Sequence, residues 1–561
     1  MAGEGAAGRP AVPGERRAVA RLCLPPALVC LAMSGYLAFR VPLFFGADET
    51  AHFSYVAALL DGRLPEITDV QAGGERFPIL AEAHAGVDDG SRSGQSPIFV
   101  ANHPPLAYVV AAPVVWAARL GGDAAPALAM RLVNGLAMSA GVVLTGLFAA
   151  EVFPRGRMVA FVAATIAAVT PALVGVAAYG HSDGAGFAVA AAGLWLAARL
   201  LRPVPPSAVP SVRLLGAAAA MTAVALLTRA ALATTAALLV AAAATAVWRH
   251  QADRDRLRRR LVTVRVAALV AAPSVVLAGW FYVRNWVLYG SPTADDLLLR
   301  RAGRRSPGSL VEVLVSGDFP GRMGRGLYGS VHPRLVVAHA GVVTLAVVAV
   351  GVAGGALALA RATTAGGRSE TAADPGPFRR RSAADTASPA PFRGGSAADA
   401  AGGRGLDGWG WALVGAYGLA VVVGTASFFS EGGSAHPRYF LPLVPVASAL
   451  VARALAELPA RRLAALVTVG GLAAVVWSQA RRYPDLVADR YHMHPFDDAA
   501  AGGPAQAVAL AVAGLAVAAV VAVLLGAIRT VDWPAGGAAP APVRPATADR
   551  PGDRGRVGSL P

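Results

Sequence analysis

Apolar blocks long enough to cross a lipid bilayer recur along most of this chain, and that feature restricts its fold more than any other. A bilayer core needs roughly 20 apolar residues per helix. Stretches such as Ala125 to Phe153, Val262 to Tyr282 and Trp409 to Phe429 reach that length. Composition agrees: of 561 residues, 55% are hydrophobic and 15% charged, against about 25% charged in a soluble domain. The mean hydropathy is +0.52. All 50 basic residues are arginine. With the heavy use of Ala, Gly, Pro and Val, this indicates a GC-rich coding bias. The formal charge of +16 therefore points to cytoplasmic loops and anionic lipid rather than to nucleic acid.

Arg16, Arg17 and Arg21 precede an apolar block from Ala18 to Phe45, too long for a cleaved signal and without a clear cleavage site. It reads as a retained transmembrane helix with its N-terminus in the cytoplasm. Cys23 and Cys30 both lie in this block, with no metal-ligand spacing, and read as packing residues.

The positive-inside rule then orders the rest of the chain. His103 to Leu120 opens on two prolines and is short for a span. Read as an interfacial helix on the outer face, it leaves Arg155 and Arg157 inside. Further spans follow at 158–179, 185–201, 214–227, 230–248, 262–282, 335–359, 409–429, 439–458, 463–477 and 505–528. The expected fold is all-α: a polytopic membrane helical bundle of about twelve transmembrane helices, with both termini inside. The chain divides into a cytoplasmic tail over 1–17 and a transmembrane module over 18–359 with its first outer loop at 46–124. A disordered cytoplasmic linker over 360–408, further helices over 409–528 and a disordered tail over 529–561 follow. One loop breaks the rule. The external stretch from Asn285 to Leu335 carries Arg300, Arg301, Arg304, Arg305, Arg322, Arg325 and Arg334. Either the topology slips there or these arginines face an anionic ligand.

Charged groups at span ends are costly to place and are functional candidates. Asp48 and Glu49, ahead of His52, form an acidic pair after the first span, suited to a general base or a divalent metal ion. Asn102 and His103 enter the interfacial helix, and Asp183 follows His181 and Ser182 between two spans. Arg284-Asn285 and His436-Pro437-Arg438-Tyr439 place arginines at outer helix ends, where a guanidinium fork suits a phosphate.

In this order along the chain, the elements resemble the GT-C superfamily of membrane glycosyltransferases. Leu227-Thr228-Arg229 is similar to that family's Leu-Thr-Lys turn. Arg284-Asn285 with Tyr289-Gly290-Ser291-Pro292 is similar to its Arg-Asn…Tyr-Gly-Asp-Pro segment, with Ser in place of Asp. Arg438-Tyr439-Phe440-Leu441-Pro442 is similar to its Arg-Tyr-Leu-Leu-Pro element. The resemblance covers roughly Leu24 to Leu458. It implies a GT-C-like fold with interfacial helices in the first outer loop. It also implies transfer of a sugar from a polyprenyl-phosphate carrier to an extracytoplasmic glycan, lipid or protein acceptor. By position, Asp48 is then the base or metal ligand with Glu49 beside it, and Arg284 and Arg438 hold the lipid phosphate. His52, His103, Asp183, Arg229, Asn285 and Tyr439 complete the substrate contacts. A transporter or flippase of a lipid-linked precursor, or an inactive envelope-assembly scaffold, remain the other readings of a many-spanning chain.

Overall fold

The computed structural model describes residues 13–71, 77, 97–153, 157–203, 210–251, 255–331, 405–458 and 461–491, Ala47 and Ala302 excepted, with scattered positions in 345–360 and 508–522. Among these the chain is helical, apart from one isolated bridge between Val70 and Pro97. The helices are α1 (Pro13–Leu22), α2 (Leu24–Arg40), α3 (Glu49–Leu60), α4 (Leu106–Ala118), α5 (Ala125–Val152), α6 (Arg157–Ala168), α7 (Pro171–Ala177), α8 (Asp183–Leu201) and α9 (Val212–Thr228). They continue as α10 (Ala233–His250), α11 (Arg256–Tyr289), α12 (Asp295–Arg301), α13 (Leu310–Val315), α14 (Asp318–Gly329), α15 (Gly408–Ser430), α16 (Val444–Glu457) and α17 (Arg461–Tyr491).

Eight of these helical stretches are long and apolar enough to cross a membrane, or nine if the bent pair α6–α7 is one span. The sequence count of about twelve is not reached among the described residues. Helix α9 has only 17 residues. Most of 335–359, of 505–528, of the 360–408 linker and of both tails lies outside the described residues. Helix α4 has 13 residues, about 20 Å at 1.5 Å per residue, short of the roughly 30 Å that a span must cover. It buries Tyr108, Ala111, Ala112 and Val115 and leaves Val109, Val110, Val114 and Trp116 exposed.

The bundle is organised around α5, which packs against α2, α4, α6, α8 and α16. Small residues allow this crowding, as they do between membrane helices generally. A Cβ added at Gly141 would lie 2.4 Å from the Phe187 ring, and one at Gly146 would lie 2.3 Å from Cys23 Sγ. Cys23 and Cys30 are free and buried. Helix α6 is buried on all sides from Met158 to Ala168. It breaks by 60° into α7 at Pro171, whose ring cannot continue a helix ladder. By contrast α11 exposes Val275, Val276, Val283 and Val287, as befits a lipid-facing helix.

Candidate functional site

Two polar residues on α5, one helical turn apart, hold the turns that carry the acidic candidates. Arg131 is fully buried. Its guanidinium donates to the carbonyls of Ala38, Val41 and Pro42 at 2.7–2.8 Å. It also grips both Glu49 carboxylate oxygens, Nε to Oε1 at 2.6 Å and Nη2 to Oε2 at 2.8 Å. Glu49 accepts further from the Gly180 and Gly46 amides. Asn134 donates to the carbonyls of Val176 and Tyr179, while its Oδ1 accepts from the Gly184 amide at 2.7 Å. The α2–α3 turn and the α7–α8 turn are thus tied to one helix.

Between these ties Asp48 and Asp183 face two arginines. Asp48 has φ 67°, a left-handed backbone uncommon outside glycine. Arg438, at the start of the turn before α16, pairs through Nη2 with Asp48 Oδ2 and lies 3.9 Å from Asp183. Arg229, between α9 and α10, pairs with Asp183 Oδ1. His181 completes the set, with Nδ1 3.0 Å from Asp183 Oδ2 and Nε2 3.4 Å from Arg438 Nη1. Because arginine only donates, Nε2 accepts and the Nδ1 proton points at Asp183. Burial pushes the Asp48 carboxyl up, but the Arg438 guanidinium paired with it outweighs this and holds the pKa down at about 2.

A second polar group lies beside this one. The Tyr108 hydroxyl is 2.7 Å from His52 Nδ1 and 3.2 Å from His103 Nδ1. The His52 and His181 rings touch with centroids 4.1 Å apart and planes tilted by 43°, linking the two sets. Burial first, and then neighbouring positive charge, hold His52 and His103 well below the ordinary histidine range, so both are neutral at pH 7.

The structure corrects the expected place of several residues. Glu49 is 2% exposed and saturated by Arg131 and two amides, so it anchors a turn and cannot reach a substrate. Arg284 does not join Asp48 and Arg438. Its Nη2 donates to the Pro65 carbonyl at 2.8 Å and its Nη1 faces the Asn285 side chain. Fully buried Asn285 ties the carbonyls of Asn102 and Pro292. Tyr439 lies under the Arg438 guanidinium at 5.5 Å. The donors do not suit a resident cation. Asp48 faces Arg438 and two histidines, Glu49 is consumed, and no group of three or more His, Cys, Asp or Glu among the described residues is placed to hold a metal. Arg131, Asn134 and Tyr108 were not singled out from sequence. A charged and an amide residue one turn apart in an apolar span was the available signal.

The site is therefore a charge-balanced quartet of two aspartates and two arginines at one end of a membrane bundle. One solved structure is similar. It is the crystal structure of ArnT from Cupriavidus metallidurans bound to undecaprenyl phosphate, 17% identical over 92% of this chain and 78% of that one, with a TM-score of 0.40. No family model and no curated protein matches.

Proposed function

We propose that this protein is a membrane glycosyltransferase that moves a sugar from a polyprenyl-phosphate carrier to an acceptor outside the cytoplasm. The observation that carries the reading is the convergence of Asp48, Asp183, Arg229 and Arg438, from points up to 390 residues apart, at one end of the bundle. Local propensity brings no such groups together. Buried charges persist only when paired, and at membrane depth they mark a function.

The chemistry follows from the pairing. A lipid-linked donor approaches along the bilayer, so its phosphate meets the protein at headgroup depth, where Arg438 sits at the mouth of α16. Arg438 and Arg229 offer the bidentate grip that a phosphate oxygen pair requires. To take Arg438, the phosphate must displace a carboxylate. Asp48 is the one that yields, with its side chain 28% exposed against 6% for Asp183. Freed from Arg438, Asp48 regains basicity and removes the acceptor hydroxyl proton. The acceptor oxygen bonds to the sugar's anomeric carbon as the bond from that carbon to the phosphate oxygen breaks. The electron pair of the broken bond stays on the departing phosphate oxygen, and the two arginines stabilise that charge where it forms. Arg131 and Glu49 keep the Asp48 turn in place throughout.

The test uses the full chain in phosphatidylcholine nanodiscs. Wild type should bind undecaprenyl phosphate, and Arg438→Ala should weaken that binding at least tenfold while remaining folded. Absence of binding by wild type, or equal affinity in the variant, would overturn the reading.

A further inference from the structure

The arginine-rich stretch that broke the charge rule lies beside the site, not at the far end of the bundle. Asn102 Nδ2 donates to the Thr293 carbonyl at 2.6 Å, and Leu297 and Leu298 pack on the cluster around Phe53 and Phe77. At its other end Arg304 donates to Ser434, and a Cβ at Gly432 would meet the Arg305 carbonyl at 3.1 Å. The segment therefore bridges the first loop to the turn that leads into Arg438. Ser434 is four residues from Arg438, within about 14 Å along an extended chain. The stretch and Asp48 thus lie at one end of the bundle.

We infer that the acceptor is an anionic polymer, a glycan bearing carboxylate or phosphate groups, docked on Arg300, Arg301, Arg304 and Arg305. This inference rests on the glycosyltransferase reading. All four side chains are exposed, and among the described residues no acid lies within ion-pair range of any of them. Of the acids nearby, Glu312 closes a capping box with Ser309, Asp318 pairs with Arg322 and Glu431 accepts from Ser427, while Asp295 and Asp296 open α12 without an ion pair to the four arginines. At the opposite end of the bundle Arg16, Arg199 and Arg202 share Glu151 and Arg249 pairs with Asp407, while Arg256, Arg258 and Arg260 stay exposed, as loop arginines on the cytoplasmic side do. An uncompensated basic face on the outer side opposes the usual loop asymmetry, so it answers to a negative ligand. The donor phosphate is not that ligand, because it belongs at the nearly buried Arg438. A basic rim at the aqueous mouth instead concentrates and orients the incoming acceptor.

The test compares wild type with the quadruple Arg→Gln variant at 300, 301, 304 and 305, both in phosphatidylcholine nanodiscs. The probes are a polygalacturonate oligomer and a neutral maltodextrin of equal length. Wild type should bind polygalacturonate, more weakly as salt rises, and ignore maltodextrin. The Gln variant should bind polygalacturonate at least tenfold more weakly yet hold undecaprenyl phosphate as wild type does. The corresponding Arg→Lys set, which keeps the charge, should stay within a few-fold of wild type. Equal polygalacturonate affinity in wild type and the Gln variant, or equal binding of maltodextrin, would overturn the inference. So would a defect seen only as lost retention of phosphatidylglycerol in mixed-lipid nanodiscs, which would mark a headgroup belt. If wild type binds polygalacturonate but not undecaprenyl phosphate, the donor reading fails and the basic surface stands.

Discussion

Replacing Asp48 by Asn should abolish transfer and at the same time tighten donor binding. Arg438 is committed to Asp48 before any anion arrives, so part of the phosphate's binding energy goes into separating that pair. The Asp48 pKa falls from 3.8 to about 2. At 1.36 kcal/mol per unit, that is about 2 kcal/mol favouring the paired, ionised form, or roughly thirtyfold in a binding constant. Partial exposure of Asp48 screens the pair, so the expected tightening lies between about threefold and thirtyfold. Asn keeps the side-chain volume and removes only the charge. Titration of undecaprenyl phosphate into nanodiscs bearing wild type or Asp48→Asn, at fixed salt, reads the ratio directly. Measurable wild-type binding with an unchanged or weaker constant in the variant would refute the competition. Asp48 would then be a phosphate-side ligand or a bystander, and not a displaced base.

Other outcomes follow from the same geometry. Glu49→Gln or Arg131→Gln should cost about 3–5 kcal/mol of stability, the penalty for stranding one partner of a buried pair, read as a fall in thermal midpoint in detergent; a change within error would mean Glu49 is not the anchor described. His52 and His103 are held neutral in the fold while their unfolded counterparts protonate near pH 6.5. Their contribution is therefore full above that pH and lost below it, by at most about 1.4 kcal/mol per histidine per pH unit. The double His→Gln variant should flatten the decline in thermal midpoint between pH 7.5 and 5.5, and an unaltered slope would discount these histidines. Arg438→Lys should lower transfer more than it lowers the thermal midpoint, because an ammonium cannot reproduce the two-nitrogen grip; full activity would count against bidentate phosphate binding. Cysteines introduced at Ser93 and Ser382, with Cys23 and Cys30 removed, should label from opposite sides of the membrane, and labelling from one side would overturn the orientation.

The helical membrane class was legible because the bilayer imposes a length that apolar blocks display directly. Asp48, Asp183 and Arg438 were visible for a related reason: charge at a span end is costly and stands out against Ala, Val and Leu; Arg229 was singled out by the family resemblance alone. What the linear chain could not convey was the choice of partner. Asp48 and Glu49 are adjacent and chemically alike, yet one meets Arg438 while the other is enclosed by Arg131. That division depends on the left-handed turn at Asp48, which points the two carboxylates apart. Arg284 and Arg438 look equivalent as arginines at helix ends, but the fold spends Arg284 on a loop carbonyl. Arg131 and Asn134 escaped notice because they sit inside a span instead of at its edge.

The two ties on α5 make that helix a ruler for the site. Each acidic turn is registered to it, a bond from the Gly180 amide to Glu49 joins the two turns directly, and neither depends on the long connections elsewhere in the chain. Length changes in those connections therefore leave the spacing between Asp48 and Asp183 untouched. One residue inserted between Arg131 and Asn134 would instead rotate one against the other by about 100° and release one of the two turns. Related chains should accordingly vary freely in loop length while keeping the stretch from Arg131 to Asn134 free of insertions.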